Sequence, residues 1–151
     1  MRIISGKHKG KTISFLKSSK TRPLKDSVKE NIFNILAHSN LLDISIKNSN
    51  ILDLYSGIGS FGIECISRGA KKIIFVEKDE SVAEILEKNL FNLGIKKNST
   101  IIIDEIGNFL KKDLSEKFEI IFLDPPFANS AYLHELKLIK QKKNYKKNHI
   151  I

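Results

Sequence analysis

Three groups of residues have the types and spacing to do chemistry. The first is Asp53-Leu54-Tyr55-Ser56-Gly57-Ile58-Gly59-Ser60-Phe61-Gly62, which follows a short apolar run and opens a helical pattern. Glycines in such a turn let the backbone approach a ligand where a Cβ would intrude. The spacing matches G-x-G-x-x-G, the dinucleotide fingerprint, so a nicotinamide cofactor is one candidate. Glu77 lies 20 residues after Gly57 and can accept hydrogen bonds from ribose hydroxyls in either kind of nucleoside cofactor. Asp53 discriminates between them. An acid beside the loop repels a pyrophosphate, whereas a sulfonium cofactor with an amino-acid tail brings cationic groups. Asp53 therefore favours S-adenosylmethionine (AdoMet).

The second group is Asp124-Pro125-Pro126-Phe127. An exocyclic amine on a nucleobase is a poor nucleophile, because its lone pair is delocalised into the ring. Acceptors aimed at its two N–H groups hold the lone pair toward an incoming methyl. Asp124 offers a carboxylate and Pro125 a backbone carbonyl. Pro125 and Pro126 remove two competing N–H donors and hold the residues before them extended. Phe127 is placed to stack on an extruded base. Asp-Pro also occurs in plain strand-ending turns. The third group is the acid pair Asp104-Glu105, either a contact for a cofactor's adenine amine or a solvated turn. His8, His38, His134 and His149 are scattered, and no metal-ligand spacing is present.

The elements that must position these groups alternate. Ile3–Ile4 and Thr12–Phe15 flank a Gly-containing turn and predict a hairpin. A helix follows Pro23, with Ser27 and Glu30 at capping-box spacing, Asp26 as a competing cap, and Val28, Ile32, Ile35 and Leu36 on its apolar face. Strands are expected at Ile51–Leu54, Lys72–Val76, Thr100–Ile103 and Glu119–Leu123. Helices are expected from Gly62 to Ser67, over Ser81–Leu93, Ile106–Lys112 and Ala131–Lys140, with Gly94 ending the second of them. This order implies an α/β fold, a Rossmann-like parallel sheet with helices on both faces. Asn148–Ile151 reads as the beginning of a fifth strand, so the chain looks C-terminally incomplete, with strands missing. The expected division is a basic arm over residues 1–23 and a catalytic domain over residues 24–151.

Composition limits what such a domain does. The chain has 151 residues, and 41% of them are hydrophobic, which suits one folded domain. No apolar run approaches the ~20 residues of a membrane span, and the N-terminus lacks the apolar core of a secretory signal. A single cysteine, Cys65, excludes an internal disulfide and points to a reducing, cytoplasmic setting, with packing its expected role. The formal charge is +9. Lys, Asn and Ile make up 59 of the 151 residues, a bias that an AT-rich genome would produce by itself. The distribution is more informative: residues 1–29 carry +8, residues 30–136 carry −5, and residues 137–151 carry +6. A basic arm on an acidic core is the footprint of a polyanion partner.

Asp53–Gly62, Glu77 and Asp124–Phe127 resemble the motifs of a class I AdoMet-dependent methyltransferase. Further stretches narrow the likeness: Arg2-Ile3-Ile4-Ser5-Gly6, Lys9-Gly10-Lys11, Arg22-Pro23, Asp26, Val28 to Leu36, Ser67-Arg68-Gly69-Ala70, Val76-Glu77-Lys78-Asp79 and Phe109-Leu110. With these the chain resembles the bacterial 16S rRNA guanine-N2 methyltransferase family. The resemblance implies AdoMet as cofactor, held by Asp53, Tyr55, Ser56, Gly57, Gly59, Glu77 and Lys78, with Asp104 or Glu105 on the adenine side. It implies small-subunit rRNA as substrate, Asp124, Pro125, Pro126 and Phe127 as the catalytic group, and Arg2, Lys7, Lys9, Lys11, Lys20, Arg22 and Lys25 as RNA contacts. It implies no metal and no membrane, and a monomer is expected. Leu24 departs from the threonine usual after Arg-Pro. Family members continue through three further strands. Alternatives stay open: amine methylation of DNA or protein glutamine, an NAD-dependent oxidoreductase, or a catalytically impaired RNA-binding assembly factor.

Overall fold

A computed structural model of the chain describes residues 1–15, 25–38, 43–126 and 131–151. The elements run α1 (Asp26–His38), β1 (Asn50–Leu54), α2 (Ser60–Ser67), β2 (Lys72–Glu77), α3 (Glu80–Asn92), β3 (Ser99–Ile103), α4 (Ile106–Lys111), β4 (Phe118–Leu123), α5 (Tyr132–Lys142) and β5 (Tyr145–Ile150). The five strands form one sheet in the order β3-β2-β1-β4-β5, all neighbours parallel. The chain winds outward from β1 to β3, then crosses back to place β4 on the other side of β1. In open α/β sheets ligands bind outside the carboxyl ends of the strands at such a reversal.

Alternation along β1 explains the two layers. Ile51, with Ile73, Phe75 and Ile120, joins one buried cluster that contains side chains of α1, α2 and α3. Leu52 and Leu54, with Ile74, Val76 and Ile121, join a second cluster with α4 and α5. Each fully buried Leu, Ile or Phe here contributes about 1.5–3 kcal/mol. Helix ends follow local chemistry. Asp79 caps α3, accepting from the N–H groups of Ser81 at 3.0 Å and Val82 at 3.4 Å. Gly94, with φ 69°, closes its other end.

The expected strand–helix series is present, with differences at several points. The first helix begins at Asp26, so Ser27 and Glu30 lie inside it rather than forming a capping box at its start. Its buried face is Lys29, Phe33 and Leu36, whereas Val28 and Ile35 are 43% and 59% exposed. The face is rotated because Lys29, a residue type that rarely faces inward, occupies a core position. The N-terminal hairpin has a single antiparallel bridge, Arg2 to Thr12, and no regular strands. The fifth strand starts earlier than expected, at Tyr145, inside the lysine-rich stretch. It pairs with β4 at Phe118 to Tyr145 and Ile120 to Ile150, with an irregularity between them. Cys65 is buried, and burial pushes its thiol well above the usual range.

Candidate active site

The Asp53–Gly62 loop leaves β1 and turns through left-handed residues Tyr55, Gly57 and Gly59 before α2 begins at Ser60. Gly62 lies in the first turn of α2, where a Cβ would come within 2.3 Å of the Phe75 ring. Its N–H donates to Asp53 Oδ2 at 3.0 Å. Asp53 is only 1% exposed, so it sits beneath the loop rather than in the open crevice. Burial, with smaller contributions from the Asp124 and Glu77 charges, pushes its carboxyl up to about 8. Glu77, at the end of β2, accepts from the N–H groups of Gly57 at 2.9 Å and Asp79 at 3.0 Å. One carboxylate thereby ties the glycine turn to the start of α3.

Asp124, Pro125 and Pro126 leave β4, and Leu123 is paired directly with Leu54 of β1. The two motif loops therefore open side by side from adjacent strands. The Asp124 side chain is held above the usual carboxylate range by desolvation. Asp53, Glu77 and Asp124 converge closely enough for the last two to act electrostatically on the first. With Asp53 buried beneath the loop, the solvent-accessible acids Glu77 and Asp124 are the ones that favour a cationic ligand. Phe127 lies outside the described residues, as do Lys20 and Arg22.

The two acids after β3 have different surroundings. Asp104 accepts from Lys112 Nζ at 2.8 Å and from the Glu105 N–H at 2.8 Å, and the Lys112 bond holds its carboxyl low. Glu105 is exposed at the start of α4. Lys78 is exposed at the end of β2. The residues of the first group fit the polar end of a cofactor with an amino-acid tail. Ser56 Oγ is buried with no hydrogen-bond partner among the described residues, and a Cβ added at Gly57 would meet nothing within 4 Å. A donor and acceptor left open in a glycine turn is the arrangement a polar ligand completes.

The basic residues occupy a different place. Residues 1–8 run alongside α2 in the same direction and are fixed to it, from Met1 at Ser60 to His8 at Ser67, and Ser14 is tied to Asn89 of α3. Glu64, buried on α2, accepts from the N–H groups of Ile4 at 2.8 Å and Ser5 at 2.9 Å, and from Arg68 Nε at 2.9 Å. Lys29 Nζ, 0% exposed, donates to the Arg2 carbonyl at 2.7 Å and lies 3.9 Å from Glu64 Oε2. A Cβ at Gly6 would come within 1.9 Å of the Ser67 carbonyl oxygen, so only glycine fits there. Lys7, Lys9, Lys11 and Lys25 are exposed, and Arg2 pairs with Asp26 at 3.5 Å. Lys7 donates its N–H to the Ser67 carbonyl, which puts the basic tip at the end of α2 away from the glycine loop.

The sequence reading missed Lys29 and Glu64 as partners. A signal existed for one of them: Glu64 stands alone in an otherwise apolar helix, SFGIECIS. It also missed the bond from Tyr55 to Glu135, for which spacing gives no hint, since 80 residues separate them.

A parallel sheet in this order, with a glycine turn after β1 and Asp-Pro-Pro after β4, has the architecture of the class I methyltransferases. A solved Escherichia coli protein, provisionally a methyltransferase, superposes with a TM-score of 0.79 at 28% identity, over 100% of this chain and 74% of that one. A Podospora anserina methyltransferase solved with S-adenosylhomocysteine bound shares the fold, with a TM-score of 0.60 at 20% identity over 66% of this chain and 43% of that one. The chain belongs to the family described as Conserved hypothetical protein 95, whose model matches residues 1–151. It is 36% identical to ribosomal RNA small subunit methyltransferase D of Haemophilus influenzae, over 100% of this chain and 76% of that protein. It is 31% identical to the protein of the same name in Escherichia coli K12, over 93% of this chain and 67% of that one.

Proposed function

We propose that the chain transfers a methyl group from AdoMet to the exocyclic N2 amine of a guanine in small-subunit rRNA. The observation that carries this reading is the pairing of Leu54 with Leu123, which opens the glycine turn and Asp124-Pro125-Pro126 side by side into one acid-lined crevice. The names of the relatives in Haemophilus and Escherichia support rRNA as the acceptor. When bound, AdoMet supplies an electrophilic methyl on a sulfonium. Gly57, Gly59, Tyr55 and Ser56 would hold its amino-acid tail, Glu77 its ribose, and Glu105 its adenine side, since Asp104 is engaged with Lys112.

In this reading Asp124 and the Pro125 carbonyl accept the two N–H groups of the target amine and turn its lone pair toward the cofactor side. The proton lost after transfer passes to Asp124 or to water. Positioning supplies most of the rate, because the acceptors are fixed before the base arrives. Residues 1–23 form the RNA-contacting arm and residues 24–151 the catalytic domain. The test is methyl incorporation from labelled AdoMet into unmodified small ribosomal subunits, with free rRNA, DNA and protein as parallel acceptors. Label at guanine N2 of small-subunit rRNA is expected. Label confined to DNA or protein, or tight NAD binding without AdoMet binding, overturns the reading.

A further inference from the structure

We propose that Glu135 is a positioning residue of this site: through Tyr55 it holds the turn that carries Asp124 in register with the glycine loop. The proposal rests on the methyl-transfer reading above and adds a residue to it.

Tyr55 and Asp124 are the first residues beyond the paired ends of β1 and β4. From there the two loops part. One turns into α2; the other leads to α5. The Tyr55 hydroxyl donates to Glu135 Oε1 at 2.5 Å and so reconnects them beyond the sheet. Two features mark this bond as more than packing. Tyr55 holds a left-handed backbone, φ 61°, which a residue with a Cβ adopts at a cost in energy. Glycine would relieve that cost and lose the hydroxyl. Glu135 is 4% exposed, and its Oε2 has no hydrogen-bond partner among the described residues. A leucine would fill that site without burying a carboxylate. Further along α5, Ile139 is buried against the second face of the sheet. The helix is thus fixed to the sheet by Ile139 and to the cofactor loop by Glu135. Displacing a reacting group by about 1 Å costs up to about a hundredfold in rate, so a bond that sets the spacing between Asp124 and the glycine turn acts directly on turnover.

The test compares Tyr55→Phe, Glu135→Ala, the double variant and Glu135→Gln with the wild-type chain. Each single variant should lose about tenfold in kcat, and the AdoMet dissociation constant of Glu135→Ala, which removes no cofactor contact, should stay within about threefold. The double variant should fall no lower than the singles, because both remove one interaction. Glu135→Gln keeps an acceptor for the hydroxyl and should recover most of the rate. Amide hydrogen exchange at Asp124 is read in the same proteins, with or without turnover, and should quicken in Tyr55→Phe and Glu135→Ala. Losses that multiply, a loss seen only in cofactor affinity, or unchanged exchange at Asp124 overturns the proposal. A wild-type chain that methylates nothing overturns the functional reading instead, and exchange then decides the Tyr55–Glu135 link by itself.

Discussion

Of the three carboxyl groups near the crevice, Glu77 and Asp124 reach solvent and Asp53 lies beneath the loop, and their differences are testable singly. Asp124 is partly desolvated, which holds its carboxyl above the usual range. Its acceptor form is lost as pH falls, so the acid limb of kcat should lie at higher pH than an ordinary aspartate would give. Asp124→Asn keeps one acceptor oxygen and should show a lower, flatter profile. Asp124→Ala should abolish transfer and leave AdoMet affinity within about twofold, as calorimetry would show. Asp53 behaves differently because it is buried beneath the loop. Its carboxyl titrates near 8 in the folded chain against an ordinary value of 3.8. Here the folded state holds the proton more tightly than the unfolded state. The resulting stabilisation is fully present below about pH 4 and is lost as pH rises through 8. Stability of the ligand-free protein should therefore decline from pH 5 to 8, by at most about 1.4 kcal/mol per unit from this group. Asp53→Asn should flatten that decline in thermal melts, and an unchanged slope would rule out Asp53 as its source.

At the scale of elements, the N-terminal arm and α2 act as one unit because Glu64 gathers the Ile4 and Ser5 N–H groups, Arg68 and Lys29. Glu64→Ala would leave Lys29 buried beside no acid of equal burial. Breaking a buried pair from one side costs about 3–5 kcal/mol. The variant should melt earlier and lose exchange protection at Ile4 and Ser5 before the sheet does. Much of this level was legible in the sequence. Strand–helix alternation was, because apolar runs at Ile51–Leu54 and Ile73–Val76 are bounded by glycine and acid turns. So was the placement of both motif loops, since each follows an apolar run. The inward face of α1 was not, because periodicity treats a lysine as outward-facing and Lys29 is held inside by partners from Arg2 and Glu64, 27 residues before it and 35 after it. The Tyr55–Glu135 bond was hidden for the same reason: a contact across 80 residues leaves no local pattern. The early start of β5 was masked by its lysines, which read as a solvated run and are exposed, Lys146 and Lys147 both, on an irregularly paired edge strand.

Across the whole molecule, charge and chemistry lie at separate ends. Lys7 is bonded through its N–H to Ser67, with Lys9 and Lys11 in the turn that follows, and the crevice opens near Ser60, a helix of eight residues or about 12 Å away. A polyanion that reaches both must track along the arm. Replacing Lys7, Lys9 and Lys11 with alanine should therefore reduce the slope of log affinity for rRNA against log salt by about 2 to 3, and leave AdoMet binding unchanged. A slope equal to that of the wild type would place the RNA elsewhere. The Tyr55 hydroxyl has one more consequence, an optical one. The chain contains no tryptophan and only three tyrosines, Tyr55, Tyr132 and Tyr145. Excited beyond the absorption of its phenylalanines, it emits from these three rings alone, and Tyr145 stacks on His149 at 4.0 Å, far from the crevice on β5. Tyr55, donating to a buried carboxylate at the mouth of the crevice, makes the protein its own fluorimeter: entry of a ligand beside that ring is readable without a label.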